Sequence, residues 1–228
     1  LALPRKVIYR NKKDGRIMMA LPAYDWTGDN SEAALLLAAA NGRTAVVRSL
    51  LLQGVDPDAA DQRGLSPMML AARNNRRETM RALLEGGADI DLRRGGTDAW
   101  PALMHAIHRG HIEAAKDLLR WGADPDARGR CGYSALMMAA GCGDRELVTA
   151  LLSRGADARI RQPLGFTAMD YAIGYGHEEI VELLAELVPE LCDDSQPARR
   201  AVMELATRLG YDDILARVGG ISSEIHEP

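Results

Sequence analysis

Aromatic residues are scarce in this chain: one Phe, three Trp and six Tyr make 4% of 228 residues. A core made almost without rings must come from Ala, Leu and Met, which suits short helices stacked closely, and it makes each aromatic position informative. Cysteine is nearly absent too. Cys131, Cys142 and Cys192 form no CxxC and no paired framework, so the fold is not expected to rest on disulfides, and a reducing compartment, the cytoplasm, is expected. No apolar run approaches membrane-spanning length, and the amino end LALPRKVI lacks the apolar region of a signal peptide. The first residue is not Met, which keeps a periplasmic or secreted location as the alternative if a leader was removed upstream.

Signals of catalysis are also missing. No phosphate-cradling GxxxxGK occurs, and Gly132-Tyr133-Ser134 is no nucleophile elbow because the needed second Gly does not follow. His105, His108 and His111 crowd one helix and its turn, but no Asp, Glu or Cys is spaced to complete a zinc set, and His177-Glu178-Glu179 lacks the second His of a metalloprotease helix. These residues are read as surface or turn-tying groups, with no metal, no cofactor and no enzyme activity expected.

Net charge is −4 and unevenly spread. Residues 1–30 carry six basic and three acidic side chains, residues 31–175 carry eighteen and seventeen, and residues 176–228 carry four and twelve. A nucleic-acid binder would show a basic stripe over its working surface; a balanced middle with an acidic end argues against one.

What is present is repetition. The stretch Gly132–Ala158, GYSALMMAAGCGDRELVTALLSRGADA, reads as two short antiparallel helices and a projecting turn. Ser134 is a good N-cap; Leu136, Ala139 and Ala140 form the apolar side of a first helix that Gly143 ends. Leu147, Val148, Leu151 and Leu152 then line one stripe of a second helix closed by Gly155. Such a pair cannot bury its stripes alone, so stacking on like units is required. Those units are found by aligning paired apolar residues and a Gly-x-Asp turn: Ala38-Ala39 with Gly54-Val55-Asp56, Ala71-Ala72 with Gly87-Ala88-Asp89, Ala106-Ile107 with Gly122-Ala123-Asp124, and Ala139-Ala140 with Gly155-Ala156-Asp157. The steps are 33, 35, 33 and 33 residues, ending at Ala172, with a weaker copy at Ala206.

This period and pattern resemble the ankyrin repeat over residues 30–218. The resemblance implies an all-α repeat solenoid, an ankyrin-type stack of helix pairs with β-turn fingers, divided into repeats at about 28–60, 61–93, 94–128, 129–161 and 162–194 and a degenerate cap at 195–218. Where the family tends to have Thr-Pro-Leu-His, this chain has Ser66-Pro67-Met68-Met69, Pro101-Ala102-Leu103-Met104, Ser134-Ala135-Leu136-Met137 and Thr167-Ala168-Met169-Asp170. The family's His helps to tie neighbouring fingers, so its loss predicts fingers less rigidly linked here.

Outside the repeats, Val7-Ile8-Tyr9 and Ile17-Met18-Met19 flank Asn11-Lys12-Lys13-Asp14-Gly15, which predicts a β-hairpin in residues 1–30, read as a cap on the first repeat. Helices are expected at Ala33–Asn41, Thr44–Gln53 and Arg77–Glu85, with Pro67 at a first helical position. The finger Arg93–Ala99 is two residues longer than its equivalents, either a neutral insertion or a specificity loop. Residues 176–188 keep an outer helix, Cys192–Pro197 reads as a linker, Ala201–Leu209 and Asp212–Val218 as a truncated pair, and 219–228 as a disordered tail.

Function in such a stack is expected in the concave groove of finger tips and inner helices, the surface the resemblance implies. Leu65, Trp100, Tyr133 and Phe166 precede successive inner helices by one repeat each and should line up along it. Arg63 and Arg130 on the fingers, and Arg73, Asn74, His108, Arg109, Cys142 and Tyr175 on the inner helices, are their expected neighbours. Aromatic and Arg anchors carry binding energy, about 2 kcal/mol or more each when a partner buries them; the competing reading is that the rings only stabilise the finger–helix junction. The expectation is a non-catalytic module that binds another protein, with no nucleic acid, no membrane and a monomer when alone. An Ala-, Arg- and Met-rich, Lys-poor composition leans towards a bacterial inhibitor or immunity protein, or an adaptor or secreted effector; self-assembly through the end caps is the structural alternative.

Overall fold

The structure, a computed structural model, describes residues 8–10, 17–19, 31–94, 99–188, 197–216 and 218. Helices alternate between two layers. The inner layer holds α1 (Ser31–Asn41), α3 (Pro67–Arg73), α5 (Ala102–His108), α7 (Ala135–Gly141), α9 (Ala168–Tyr175) and α11 (Pro197–Leu209). The outer layer holds α2 (Thr44–Leu52), α4 (Arg77–Glu85), α6 (Ile112–Arg120), α8 (Arg145–Ser153) and α10 (Glu178–Leu187), and a further helical segment covers 212–216. Each inner helix packs on the next inner helix, and each outer helix on its own inner partner. The expected solenoid is what forms.

The repeat positions explain the stacking. The inner pairs Ala38-Ala39, Ala71-Ala72, Ala106-Ile107, Ala139-Ala140 and Ala172-Ile173 are all buried, and small side chains let successive helices approach closely. In the outer layer two positions recur on one stripe: Val47, Met80, Ala115, Val148 and Val181, then Leu50, Leu83, Leu118, Leu151 and Leu184. All ten are buried, so one continuous core runs the length of the stack.

Caps fix where each inner helix begins. Ser66, Ser134 and Thr167 accept the N–H of Met69, Met137 and Asp170 through their hydroxyls. The third helical residue answers: Met69 and Met137 sulfurs take the Ser66 and Ser134 N–H at 3.4 and 3.5 Å, and Asp170 Oδ2 takes both the N–H and the hydroxyl of Thr167 at 2.7 Å. These are the positions where the family's His is missing.

The fingers are nevertheless tied, which corrects the expectation of loose linkage. Asp58 accepts the N–H of Asp89 through both carboxylate oxygens at 3.1 and 3.2 Å, Asp91 that of Asp124 at 2.9 Å, and Asp126 that of Asp157 at 2.8 Å. Within each finger the first Asp receives the N–H two residues on: Asp56 from Asp58, Asp89 from Asp91, Asp124 from Asp126 and Asp157 from Arg159. A second set of ties runs along the turns between inner and outer helices. Arg76 Nε donates to Ala40 O at 3.4 Å, while ring nitrogens of His111 and His177 bond Arg73 O and Gly141 O, each at 3.1 Å.

Strands β1 (Ile8–Arg10) and β2 (Ile17–Met19) pair antiparallel, with Ile8 opposite Met19 and Arg10 opposite Ile17. The capping role expected of this hairpin is not supported, because most of residues 1–30 lie outside the described residues. The centre of the long finger, residues 95–98, also lies outside them, as do residues 189–196, which hold the expected linker Cys192–Pro197 except Pro197, and the expected tail 219–228. Among the described residues no helix is long and apolar enough to cross a membrane.

Candidate functional site

Three positions recur along α3, α5, α7 and α9 or at their C-caps, aligned by the repeat step. The first reads Leu70, His105, Met138, Tyr171; the second, one turn later, Arg73, His108, Gly141, Gly174; the third Asn74, Arg109, Cys142, Tyr175. Asn74, His108, Arg109, Cys142 and Tyr175 are exposed, the last at 62%. Opposite them stand the fingers, folded back as short hairpins: Asp61 N donates to Leu65 O, Gly129 N to Tyr133 O and Gln162 N to Phe166 O, all at 3.0 Å. Gly64, Gly132 and Gly165 turn these hairpins at φ +77, +74 and +91, a region other L-residues adopt with strain. Ala99 takes the same place before Trp100 at φ +47.

Leu65, Trp100, Tyr133 and Phe166 are half-buried, and the three rings pack against the core. They do not make one run of ring contacts. Trp100 lies against His105 and His108, with centroids 5.8 and 5.0 Å apart. Its buried indole N–H meets no acceptor among the described residues. Tyr133 and Phe166 instead meet through Tyr171, edge-on to both at 4.9 and 6.3 Å. Burial pushes the Tyr133 phenol above its ordinary range, with Tyr171 adding to the shift. Cys142, next to this cluster, has its thiol pushed up by burial and by the Asp144 carboxylate, which opposes a reactive thiolate.

The charges divide differently. Arg73 at the end of α3 lies within electrostatic reach of Arg63 on the first finger and of Arg109, the residue that caps α5; burial first, then repulsion by Arg109 and Arg63, lowers the Arg73 guanidinium from its ordinary value, against a pull from Asp61. None of the three, nor Arg130, forms a salt bridge among the described residues. On the convex face the opposite holds. Arg48 meets Glu85 at 2.6 Å, Arg77 and Arg120 share Asp117 at 2.6 and 2.7 Å, and Lys116 bridges Glu113 and Glu146.

All twelve expected site residues therefore fall on the fingers or on the inner helices, yet in two groups. Arg63, Arg73, Arg109, Trp100 and His108 gather over the second and third repeats, and Tyr133, Phe166, Cys142 and Tyr175 over the fourth and fifth. Asn74 spends its amide on Leu70 O at 2.9 Å, Leu65 is half-buried, and Arg130 stands exposed on the third finger. Tyr171, Leu164, Gly141 and Gly174 escaped the sequence reading; tabulating each inner-helix position at the repeat step would have revealed all but Leu164, which lies on a finger.

Among the described residues no group of three or more His, Cys, Asp or Glu is placed to hold a metal. His111 and His177 are repeat ties, and His105 and His108 pack on Trp100.

A solenoid of helix pairs with projecting turns and a groove of side chains from successive units is the architecture of a repeat binding scaffold. A family model of ankyrin repeats, in three copies, matches residues 35–129 and 103–196. The chain belongs to the ankyrin repeat family, whose members generally mediate protein–protein interaction and are typically non-catalytic. Comparison with curated proteins gave no match.

Proposed function

We propose that this chain binds another protein in the groove between its fingers and inner helices, and that it is a monomer when alone. The observation that carries this reading is the contrast between the faces. The convex face satisfies its cations internally, repeat to repeat, whereas in the groove Arg73 stands within reach of Arg63 and Arg109, and none of the three forms a salt bridge among the described residues, Asp61 exerting only a longer-range pull on Arg73. Like charges held together raise the energy of the free protein, and a partner's carboxylates relieve it. A preformed groove also loses little chain entropy on docking. An inhibitor that masks one protein of its own cell fits this design, as does an adaptor or an exported effector.

The test is affinity capture from lysate of the source organism with the wild-type chain and an Arg73→Glu/Arg109→Glu variant side by side. One protein retained by the wild type and lost from the folded variant supports the reading. Equal retention on both, or a dimer by light scattering that the variant leaves intact, counts against it.

A further inference from the structure

The second groove position reads Arg73, His108, Gly141, Gly174, so the groove floor passes from long cations to no side chain at all. Neither Gly141 nor Gly174 needs glycine's backbone freedom: the left-handed residues that end these turns are Gly143 and Gly176, at φ +76 and +77. Gly within a helix is destabilising relative to Ala, so its presence here calls for another reason. Space supplies one. A Cβ on Gly141 would stand 3.4 Å from the Tyr133 hydroxyl and 3.6 Å from the Tyr175 ring, and a Cβ on Gly174 would meet nothing within 4 Å.

That space opens into a concavity of about 370 Å³ between the fifth repeat and α11, walled by Leu164, Phe166, Tyr171, Tyr175, Val202 and Leu205, with Gly174 on its floor. Leu164, Tyr175 and Leu205 are 75%, 62% and 44% exposed. An apolar hollow of this kind accepts one or two large apolar side chains.

Resting on the groove reading above, we infer that the occupant is a segment of another protein with two chemically distinct parts: large apolar side chains that fill the hollow over Gly174, and a run of carboxylates that meets Arg73 and Arg109. Charge complementarity fixes the order of the parts along the groove. Stacked helices lie about 10 Å apart, so the hollow between α9 and α11 is roughly 25–35 Å from the arginines at the ends of α3 and α5. An extended chain rises about 3.3 Å per residue, which puts roughly eight to eleven residues between the two parts. A purely acidic segment reaches one half of the site and a purely apolar one the other.

The experiment is selection of 16-residue random peptides displayed on phage against the full chain, with enriched peptides synthesised and titrated by fluorescence polarisation. Three variants accompany the wild type: Gly174→Leu, which fills the hollow from a helical position with open space; Leu205→Ser, which strips its wall; and Arg73→Glu/Arg109→Glu. Circular dichroism confirms that each is folded. The expected result is enrichment of peptides with an acidic run and an apolar group at that spacing, each variant weakening them at least about tenfold, or 1.4 kcal/mol. Peptides that depend on the arginines and ignore Gly174→Leu and Leu205→Ser would sink the two-part occupant and leave the groove reading standing. Peptides indifferent to all three variants, or no enrichment, would overturn both. Self-association of the chain abolished by Gly174→Leu would assign the hollow to a second copy and overturn the inference.

Discussion

Asp91 Oδ1 receives the backbone N–H of Asp124 from the neighbouring finger at 2.9 Å, a side chain of one repeat closing the hydrogen-bond account of the next. Burial raises the Asp91 carboxyl above its ordinary range more than this bond lowers it, and the same holds for Asp58 with Asp89. The carboxylate is therefore useful as an acceptor and costly as a charge. Asn keeps the acceptor and drops the charge; Ala drops both. Asp58→Ala and Asp91→Ala are each expected to lower stability by about 1 kcal/mol in urea unfolding at pH 7, while Asp58→Asn and Asp91→Asn leave it unchanged or higher. A raised folded-state value means that the folded form holds its proton longer, so this contribution is present below the unfolded value of 3.8 and is lost as pH rises through the folded one. The Asn double variant should accordingly gain on the wild type as pH rises from below 3.8 through the raised folded-state value. A gain in the opposite direction would show that the charged hydrogen bond outweighs desolvation.

The two turn histidines offer an additivity test. His111 and His177 each bond a carbonyl of the preceding repeat, 66 residues apart in sequence and two repeats apart in the stack. His111→Ala and His177→Ala should each cost about 1 kcal/mol. The double variant should cost their sum within about 0.5 kcal/mol. Thermal unfolding followed at 222 nm reads both.

Among the described residues Asp117 is the one carboxylate of the convex face that is almost fully covered, and it serves two arginines. Asp117→Ala should destabilise by about 1–2 kcal/mol, since two charge-assisted bonds vanish from a partly dry site. Glu85→Ala, which breaks the exposed pairs with Arg48 and Arg81, should not shift the denaturation midpoint measurably.

The rings before the inner helices should answer to stability as well as to binding. Tyr133→Ala removes a half-buried ring from Tyr171 and the core and should cost about 2 kcal/mol. Trp100→Phe should be neutral or slightly stabilising, because it removes a buried N–H that has no acceptor among the described residues. Chemical denaturation of both variants, beside the groove variants above, separates support of the stack from contact with a partner.

Most of the stack was legible because each repeat states it again. Arg77–Glu85 forms where the apolar stripe and its stops place it, Ser134 caps α7, and the outer helix of residues 176–188 appears as Glu178–Leu187. Helix ends differ by a residue or two, as at Ser31 and Leu52, where fraying turns carry little sequence signal. The finger ties were missed for a different reason. Asp56-Pro57-Asp58, Asp89-Ile90-Asp91 and Asp124-Pro125-Asp126 are visible as Asp-x-Asp, but each looks like a local turn until a second finger is laid beside it. The division of the groove was hidden in the same way: Gly141 and Gly174 resemble helix stops in a single line of sequence, and only the neighbouring Gly143 and Gly176, with their positive φ, free them for another role.

The chain of aspartates also has a direction. Each finger offers an acceptor forwards and receives a bond from the finger before it, until the fourth, where Arg159 stands in the place of the second Asp and a guanidinium has no acceptor to offer. The array is thus written like a sentence with a full stop. A duplicated unit spliced in among the first four fingers would inherit a grammatical neighbour on either side, whereas one appended after Arg159 would have to bring its own conjunction.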